Sequence, residues 1–366
     1  MKTSILILIV VVLIVGGFAA YNQGYFTTSN NGGVLENSIA KLIDTKTFKV
    51  KGKIEADIKG AEGGLSSDSG DVSLPPLSNI KAFLNFDSVV DQKRSNNLKS
   101  SSRFVVGVDA DGLQITGSVE LITAENKIYV KLVSLPQLLL SFMSSLADIQ
   151  NQWMMIDFNA LKEDYGDEFG VNIDDAELEE QLKALTSEVN RLLSEKTLFD
   201  VKESYGKEEM GDVTTDHYLF TANREAIIEV VNEYTELTKQ YVPEDKLVEY
   251  ETTVQESLEG FPAGLDQILT ATGGLKIDAW IETRTGRLVR VKWENTITPS
   301  SNGEVSKEIE SVDVLVDVTF SDFNDKTQIE APEGTKPIQD VLSTVIGAFI
   351  PESLVAPEMP ELPIDF

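Results

Sequence analysis

Chemistry in this chain has few side chains to draw on, for it has one histidine and no cysteine. His217 stands between Asp216 and Tyr218 in a segment of strand-like alternation. A histidine acting as general base needs a nucleophile within reach and a group that orients its ring. The sequence has no Gly-x-Ser-x-Gly elbow or other nucleophile motif, so a histidine packed on or between strands is the better account. Asp109, Asp111 and Gly112 have part of the composition of a calcium loop. That loop would begin at Gly107 and put its bidentate carboxylate at Ser118, so it fails at both ends, and a hairpin turn explains the residues. Glu163 to Glu180 holds nine acids and no base, without ordered ligand spacing. It reads as a solvated face and helix cap. No phosphate-binding glycine loop, dinucleotide fingerprint or histidine-rich spacing is present, so no metal and no cofactor are assigned. Paired carboxylates cannot be singled out among 60 acids, and nothing supports an enzyme.

The tryptophans remain. Trp153, Trp280 and Trp293 either fill an ordinary core or line an apolar hollow. In the run Leu275 to Thr296, Leu275, Ile277, Ala279 and Ile281 share one strand face, while Trp280 falls with Lys276, Asp278 and Glu282. In its second half Val289, Val291 and Trp293 share a face. One tryptophan thus goes with the apolar set and the other with the polar set. A sheet with apolar groups on both faces is covered on both, or is curved around contents.

The elements that position these residues are mostly strands. Val34 to Ile43 reads as a short helix, with Leu35, Ile39, Leu42 and Ile43 at helical spacing. Phe48, Val50, Ile54, Ala56 and Ile58 alternate with charged residues, as in a half-buried strand. Strands follow at Ile80 to Val90, at Phe104 to Val108 and Leu113 to Leu121 around Asp111-Gly112, and at Ile128 to Leu132. Gly60 to Pro76 reads as a loop. Pro136 to Ile149 is apolar on most sides and reads as one buried helix or the lining of an apolar space. After the strand Trp153 to Phe158, Leu178, Leu182, Leu185, Val189 and Leu192 mark an amphipathic helix, capped by Asp174 and Glu177. Strands at Leu198 to Glu203 and Val213 to Ala222 lead to a helix at Arg224 to Lys239 and a weaker one at Glu244 to Leu258. Leu265 to Leu269 adds a turn before the Trp280 hairpin. Val312 to Phe320 is the last long strand, followed by a short helix at Ile338 to Phe349. Runs of strands broken by helices, without strict alternation, predict an α+β fold: a curved antiparallel sheet with helices on its concave face.

The 366 residues allow a core of ordinary size, and the 42% hydrophobic content suits a folded protein. A formal net charge of -29 argues against nucleic acid, which needs clustered Lys and Arg. It also disfavours electrostatic docking on anionic lipid. Lys2 precedes an unbroken apolar run from Ile5 to Tyr21, and polar Asn22 to Gly33 follows. Residues 1–21 are expected to be a transmembrane anchor or a signal segment, and 22–33 a flexible tether. The body, 34–350, would then face away from the cytoplasm. Residues 351–366 form an acidic, Pro-rich tail expected to be disordered.

Four segments occur in a recognisable order: KIYVKL at Lys127 to Leu132, QWMMIDF at Gln152 to Phe158, KIDAWIETRTGRLVRVKW at Lys276 to Trp293, and VTFSDFNDKTQIEAPEG at Val318 to Gly334. The order resembles the LppX/LprG-like extracytoplasmic proteins, which share the LolA-like lipoprotein-carrier fold. The resemblance covers about Leu35 to Pro332. It implies a half-open antiparallel barrel, helices plugging its concave side, and an apolar cavity that holds acyl chains or lipidated proteins. Some relatives of the fold serve instead as sensor domains. Three features depart from the pattern: there is no cysteine to lipidate, a tethered protein cannot diffuse across an envelope as a soluble carrier does, and there are extra helices near Asp175 to Lys196 and Glu244 to Leu258. Taken together, the residues and the resemblance lead us to expect a membrane-anchored binder of a lipid or acyl-chain ligand that performs no catalysis. Leu139, Phe142 and Met143 on the apolar helix, with Trp153 and Trp293, are the expected ligand-binding residues. An envelope interaction or sensor module with a filled core is the alternative.

Overall fold

The computed structural model describes residues 33–60, 79–92, 99–125, 127–142, 145–157, 195–240, 246–298 and 309–338, with positions 184, 188, 191, 192 and 242 besides. Strands β1 (Thr47–Gly60), β2 (Asn79–Asp91), β3 (Lys99–Ala110), β4 (Leu113–Ala124), β5 (Lys127–Ser134) and β6 (Trp153–Asp157) form a first meander. A second holds β7 (Phe199–Met210), β8 (Val213–Ala222), β9 (Ile277–Glu282), β10 (Leu288–Ile297) and β11 (Ile309–Ser321), and β12 (Lys336–Pro337) ends the series. All lie in one sheet in the order β12-β6-β5-β4-β3-β2-β1-β11-β10-β9-β8-β7. The sheet is open and curved, with β12 and β7 at its edges. Pairing of β1 with β11, from Lys49 opposite Ser321 to Gly60 opposite Ile309, joins the two meanders. Neighbours are antiparallel except β12, which runs parallel to β6 and makes the sheet mixed where a purely antiparallel one was expected.

Local chemistry accounts for most of these boundaries. The β3–β4 turn has positive φ at Asp111 and Gly112, +48° and +90°, as a two-residue hairpin turn requires. Asp109 accepts from the Gly112 N–H at 3.0 Å and Asp111 from the Asn79 N–H at 3.1 Å, so these acids build the turn. Gly52 must stay small, because a Cβ there would lie 2.0 Å from the Phe86 ring that crosses it.

Helices α1 (Val34–Ile43), α2 (Gln137–Phe142), α3 (Ser145–Ile149), α4 (Arg224–Lys239) and α5 (Leu247–Ala271) accompany the sheet. Leu35 and Leu42 of α1 join the main core with Phe48, Val50, Phe220, Trp293 and the valines of β11. Within the helix expected over Pro136 to Ile149, residues 137–142 and 145–149 are helical and 143–144 fall outside the described residues; Ile149 packs with Leu146, Val130, Leu132 and Met154. Helix α4 has the expected bounds, with Asn223 as N-cap accepting from Ala226 at 3.0 Å. Helix α5 is a correction. It runs 25 residues, through Pro262 and over the turn expected at Leu265 to Leu269. The proline forgoes one backbone bond. Tertiary contacts hold the far half in place: Leu265 is buried, and Arg224 of α4 grips Asp266 at 2.9 Å. Tyr250 and Thr238 add a hydroxyl pair between the two helices.

The expected loop at Gly60 to Pro76, most of the helix at Leu178 to Leu192, the helix at Ile338 to Phe349 and the tail fall almost wholly outside the described residues. The apolar run Ile5 to Tyr21 falls outside them too, and among the described residues no helix is long and apolar enough to cross a membrane.

Candidate functional site: the apolar face of the sheet

Residues directly opposite in a ladder share a face, so the register sorts the whole sheet. One row runs Trp293, Val316, Ile54, Leu84, Val106 across β10, β11, β1, β2 and β3. The next runs Asn295, Val314, Ala56, Ala82, Val108 and Ile115, reaching β4. Another runs Val291, Val318, Gly52, Phe86, Phe104 and Val119. Ten strands therefore contribute to one mainly apolar face, from Met154 and Val130 on β6 and β5 to Phe220 on β8.

Cover on this face is uneven. Under α1, Val316 is 1% exposed, Trp293 3% and Phe220 0%. At the β6 end, Met154 is buried against Ile149 of α3. Between these covers, Val106 is 51% exposed, Val108 39% and Leu113 65%. Ile54, Ile58 and Phe86 are only partly buried beside them.

The opposite face is polar and self-paired. Lys59 meets Asp313 at 2.8 Å, Glu55 sits between Lys53 and Lys81, and Arg290 makes two bonds to Asp317. His217 lies here, its Nδ1 2.8 Å from Glu208 and its Nε2 2.9 Å from Asp278. Its ring stacks on Trp280 at 4.2 Å, and the Trp280 N–H donates to Glu208 at 2.8 Å. The bonds from Trp280 and His217 hold the Glu208 carboxyl below the usual carboxylate range. Each ring nitrogen faces a carboxylate of a neighbouring strand, which ties β7, β8 and β9 together. The cluster is a strand-packing device.

The expected ligand-binding residues separate. Trp293 is on the apolar face, buried in the core that α1 joins. Trp153 is on the polar face, one residue from inward Met154, with the Lys131 ammonium 4.6 Å from its ring centre. Leu139 and Phe142 belong to α2, but their side chains fall outside the described residues, as Met143 does altogether. Sequence reasoning missed the middle of the face: Ile54, Leu84, Val106, Val108 and Ile115. Alternation marks each as inward or outward, but only register puts them in rows. Two concavities of about 330 and 340 Å³ lie elsewhere, on α5 around Glu251 and between α4 and Arg191, and both are lined largely by polar residues.

No family model matches the chain, and no curated protein does. Among solved structures it is similar to LprF from Mycobacterium bovis, at 13% identity and a TM-score of 0.32, over 82% of this chain and 96% of that one. It is also similar to the Mycobacterium tuberculosis lipoprotein LppX, at 12% identity and a TM-score of 0.28, over 81% of this chain and 98% of that one. At these scores no residue correspondence is carried over from either.

Proposed function

We propose that the protein binds a lipid or another apolar ligand on the strip of sheet between the α1 and α3 covers, without bond-making chemistry. The observation that carries this reading is the exposure of Val106, Val108 and Leu113 on a face whose two flanks are buried. Water against such a strip is unfavourable, and an acyl chain laid on it removes apolar area from both partners. At ~25 cal/mol per Å², covering ~400 Å² supplies about 10 kcal/mol before the costs of association are taken off. Sequestration of this kind needs no metal and no cofactor. The opposite face, with its own ion pairs, keeps the body in solution.

The same reading puts the body outside the cytoplasm, tethered through Ile5 to Tyr21. It rests on the apolar run, the polar stretch after it and Lys2 before it. Protease accessibility on intact cells tests the orientation, and a body protected in surface-permeable cells contradicts it. Native mass spectrometry of the purified full chain tests the ligand. Co-purifying lipid that is lost in Val106→Asp is expected. A bare parent chain that takes up no lipid favours an interaction module with a filled core, the reading that near-complete burial under α1 recommends.

A further inference from the structure

Helix α5 is weakened at one turn. Its middle reads Gly260-Phe261-Pro262-Ala263-Gly264. Glycine is a poor helix former, and proline forgoes the backbone bond to the residue four places earlier, here Leu258. A glycine inside a helix is ordinarily explained by close packing or by a backbone that only glycine adopts. Neither explanation holds here. A Cβ added at Gly260 or at Gly264 would meet nothing within 4 Å, and neither residue has positive φ. Gly52 shows the ordinary case, with the Phe86 ring 2.0 Å from where its Cβ would lie. Alanine would fit at both helix positions and favour the helix about fivefold at each.

The weak turn divides α5 into halves held by different contacts. The C-terminal half is fastened to the sheet. Leu265 is buried, the Thr272 hydroxyl donates to the Ile268 carbonyl, and the Ala222 N–H of β8 donates to the Gly274 carbonyl at 3.2 Å. The root of α4 is fastened beside it: Arg224 holds Asp266, and the Asn223 N–H donates to the Leu198 carbonyl at 2.8 Å. The N-terminal half is held by α4 instead, through the hydroxyls of Tyr250 and Thr238 and the ion pair of Glu251 with Lys239. Helix α4 has no buried residue in its 16. Lys196, just ahead of β7, reaches its Glu229 and Glu233 at 2.6 and 2.9 Å, and ion pairs to such solvent-facing carboxylates hold weakly.

We propose that α4 and the first half of α5 form an arm that pivots on the sheet. An arm of two helices is joined to its body by two chain crossings, and both must bend for it to move. One crossing is the extended joint at Asn223, where β8 gives way to α4. The other falls within a continuous helix, and the Gly260 to Gly264 turn is what lets it bend. The crossings lie side by side, because Arg224 meets Asp266 just past Gly264. That pair stays closed as the pivot, while the Tyr250–Thr238 and Glu251–Lys239 contacts make the arm move as one piece. The motion shifts the half-buried apolar stripe of α4, Ile227, Val230, Val231 and Leu237, relative to the sheet without opening the core.

The test is double electron–electron resonance on the full chain, which has no cysteine to compete with introduced spin labels. Lys207→Cys marks the sheet, Thr252→Cys the arm and Gln267→Cys the fastened half of α5, all at exposed positions. Both label pairs share residue 207, so motion of β7 contributes equally to each. In the parent, the distance distribution between 207 and 252 should be about twofold wider than that between 207 and 267. Gly260→Ala/Pro262→Ala/Gly264→Ala should narrow the first to the width of the second. It should also slow hydrogen exchange of the Val254 to Leu258 amides about tenfold and leave the melting temperature equal or higher. Gly260→Ala/Gly264→Ala, which keeps the proline, should narrow the distribution by part of that difference. Equal widths in the parent overturn the arm, whatever the variants do. A wide parent distribution that both variants leave unchanged overturns the hinge at Gly260 to Gly264. A fall in melting temperature in the double variant shows that the glycines serve packing and overturns it as well.

Discussion

The two halves of the apolar face use the same residue types to opposite effect. Under α1, the valines of β11, with Phe220 and Trp293, are almost wholly withdrawn from water. Three strands from β11, Val106 and Val108 keep the same alternation and the same chemistry but remain exposed. Residue type therefore does not distinguish core from candidate ligand surface in this sheet. What separates them is the packing: Leu35 and Leu42 of α1 join the core at one end, and Ile149 of α3 packs on Met154 at the other.

The largest expected effect is in the closed half. Phe220→Ala should cost about 3–5 kcal/mol of stability in urea unfolding, since the site cannot collapse around the missing ring. Val106→Ser in the open half should stay within about 0.5 kcal/mol while reducing lipid uptake. Equal losses at the two positions would break the distinction between the halves.

Next comes the β9–β10 turn. Glu282 is 3% exposed and bonded by Arg287 and Thr285. Glu282→Ala leaves the half-buried Arg287 charge without its partner and should cost about 2 kcal/mol. Calorimetry at neutral pH checks it. Trp280→Phe, on the polar face, removes one bond to Glu208 and should cost about 1 kcal/mol, read from the shift in urea midpoint.

A smaller, pH-dependent contrast separates two carboxylates. Burial pushes Glu36 up from its ordinary 4.5, and the backbone N–H groups of Phe199 and Leu198 offset only part of that. Its folded state holds its proton more tightly than the unfolded chain does. The stability it adds is present below the unfolded value and is lost as pH rises through the folded one. Burial also raises Glu282, but the bonds from Thr285 and Arg287 outweigh it and bring the carboxyl below 4.5. Its stabilisation is present above 4.5 and is lost as pH falls through the lower folded value. Relative to the parent, Glu36→Gln should therefore gain stability between pH 4 and pH 7, whereas Glu282→Gln should lose it as pH rises from the acid end. Urea melts at a series of pH values decide this, and parallel curves for parent and Glu36→Gln would show that burial does not tax that carboxylate.

Much of the fold was legible in the chain. Period-two alternation placed β1, β2 and β11, Asp111-Gly112 placed the β3–β4 turn, and the helical spacing of Ile227, Val230, Val231, Tyr234 and Leu237 placed α4. These features are local, because strand pleat, turn dihedrals and helix caps depend on a few neighbouring residues. Helix α5 was read too short, because Pro262 breaks helices in isolation and here is overruled by Leu265 and Asp266 finding partners. Alternation also sorted Trp280 and Trp293 to opposite faces.

Trp153 shows the limit of that reading. Its large ring suggested a ligand wall, but register turns it outward beneath Lys131 and turns Met154 inward. One sequence states which residues alternate and leaves open which strand lies beside which, so the rows from Trp293 to Val106 and from Asn295 to Val108 exist only once β1 has paired with both β2 and β11. Exposure was likewise decided by tertiary structure, since burial of a valine depends on what packs over it, and α1 reaches only part of the face. The sequence by itself determined the local elements, the sidedness of each strand and an acidic exterior. Only the folded sheet decided which apolar side chains became core and which stayed open.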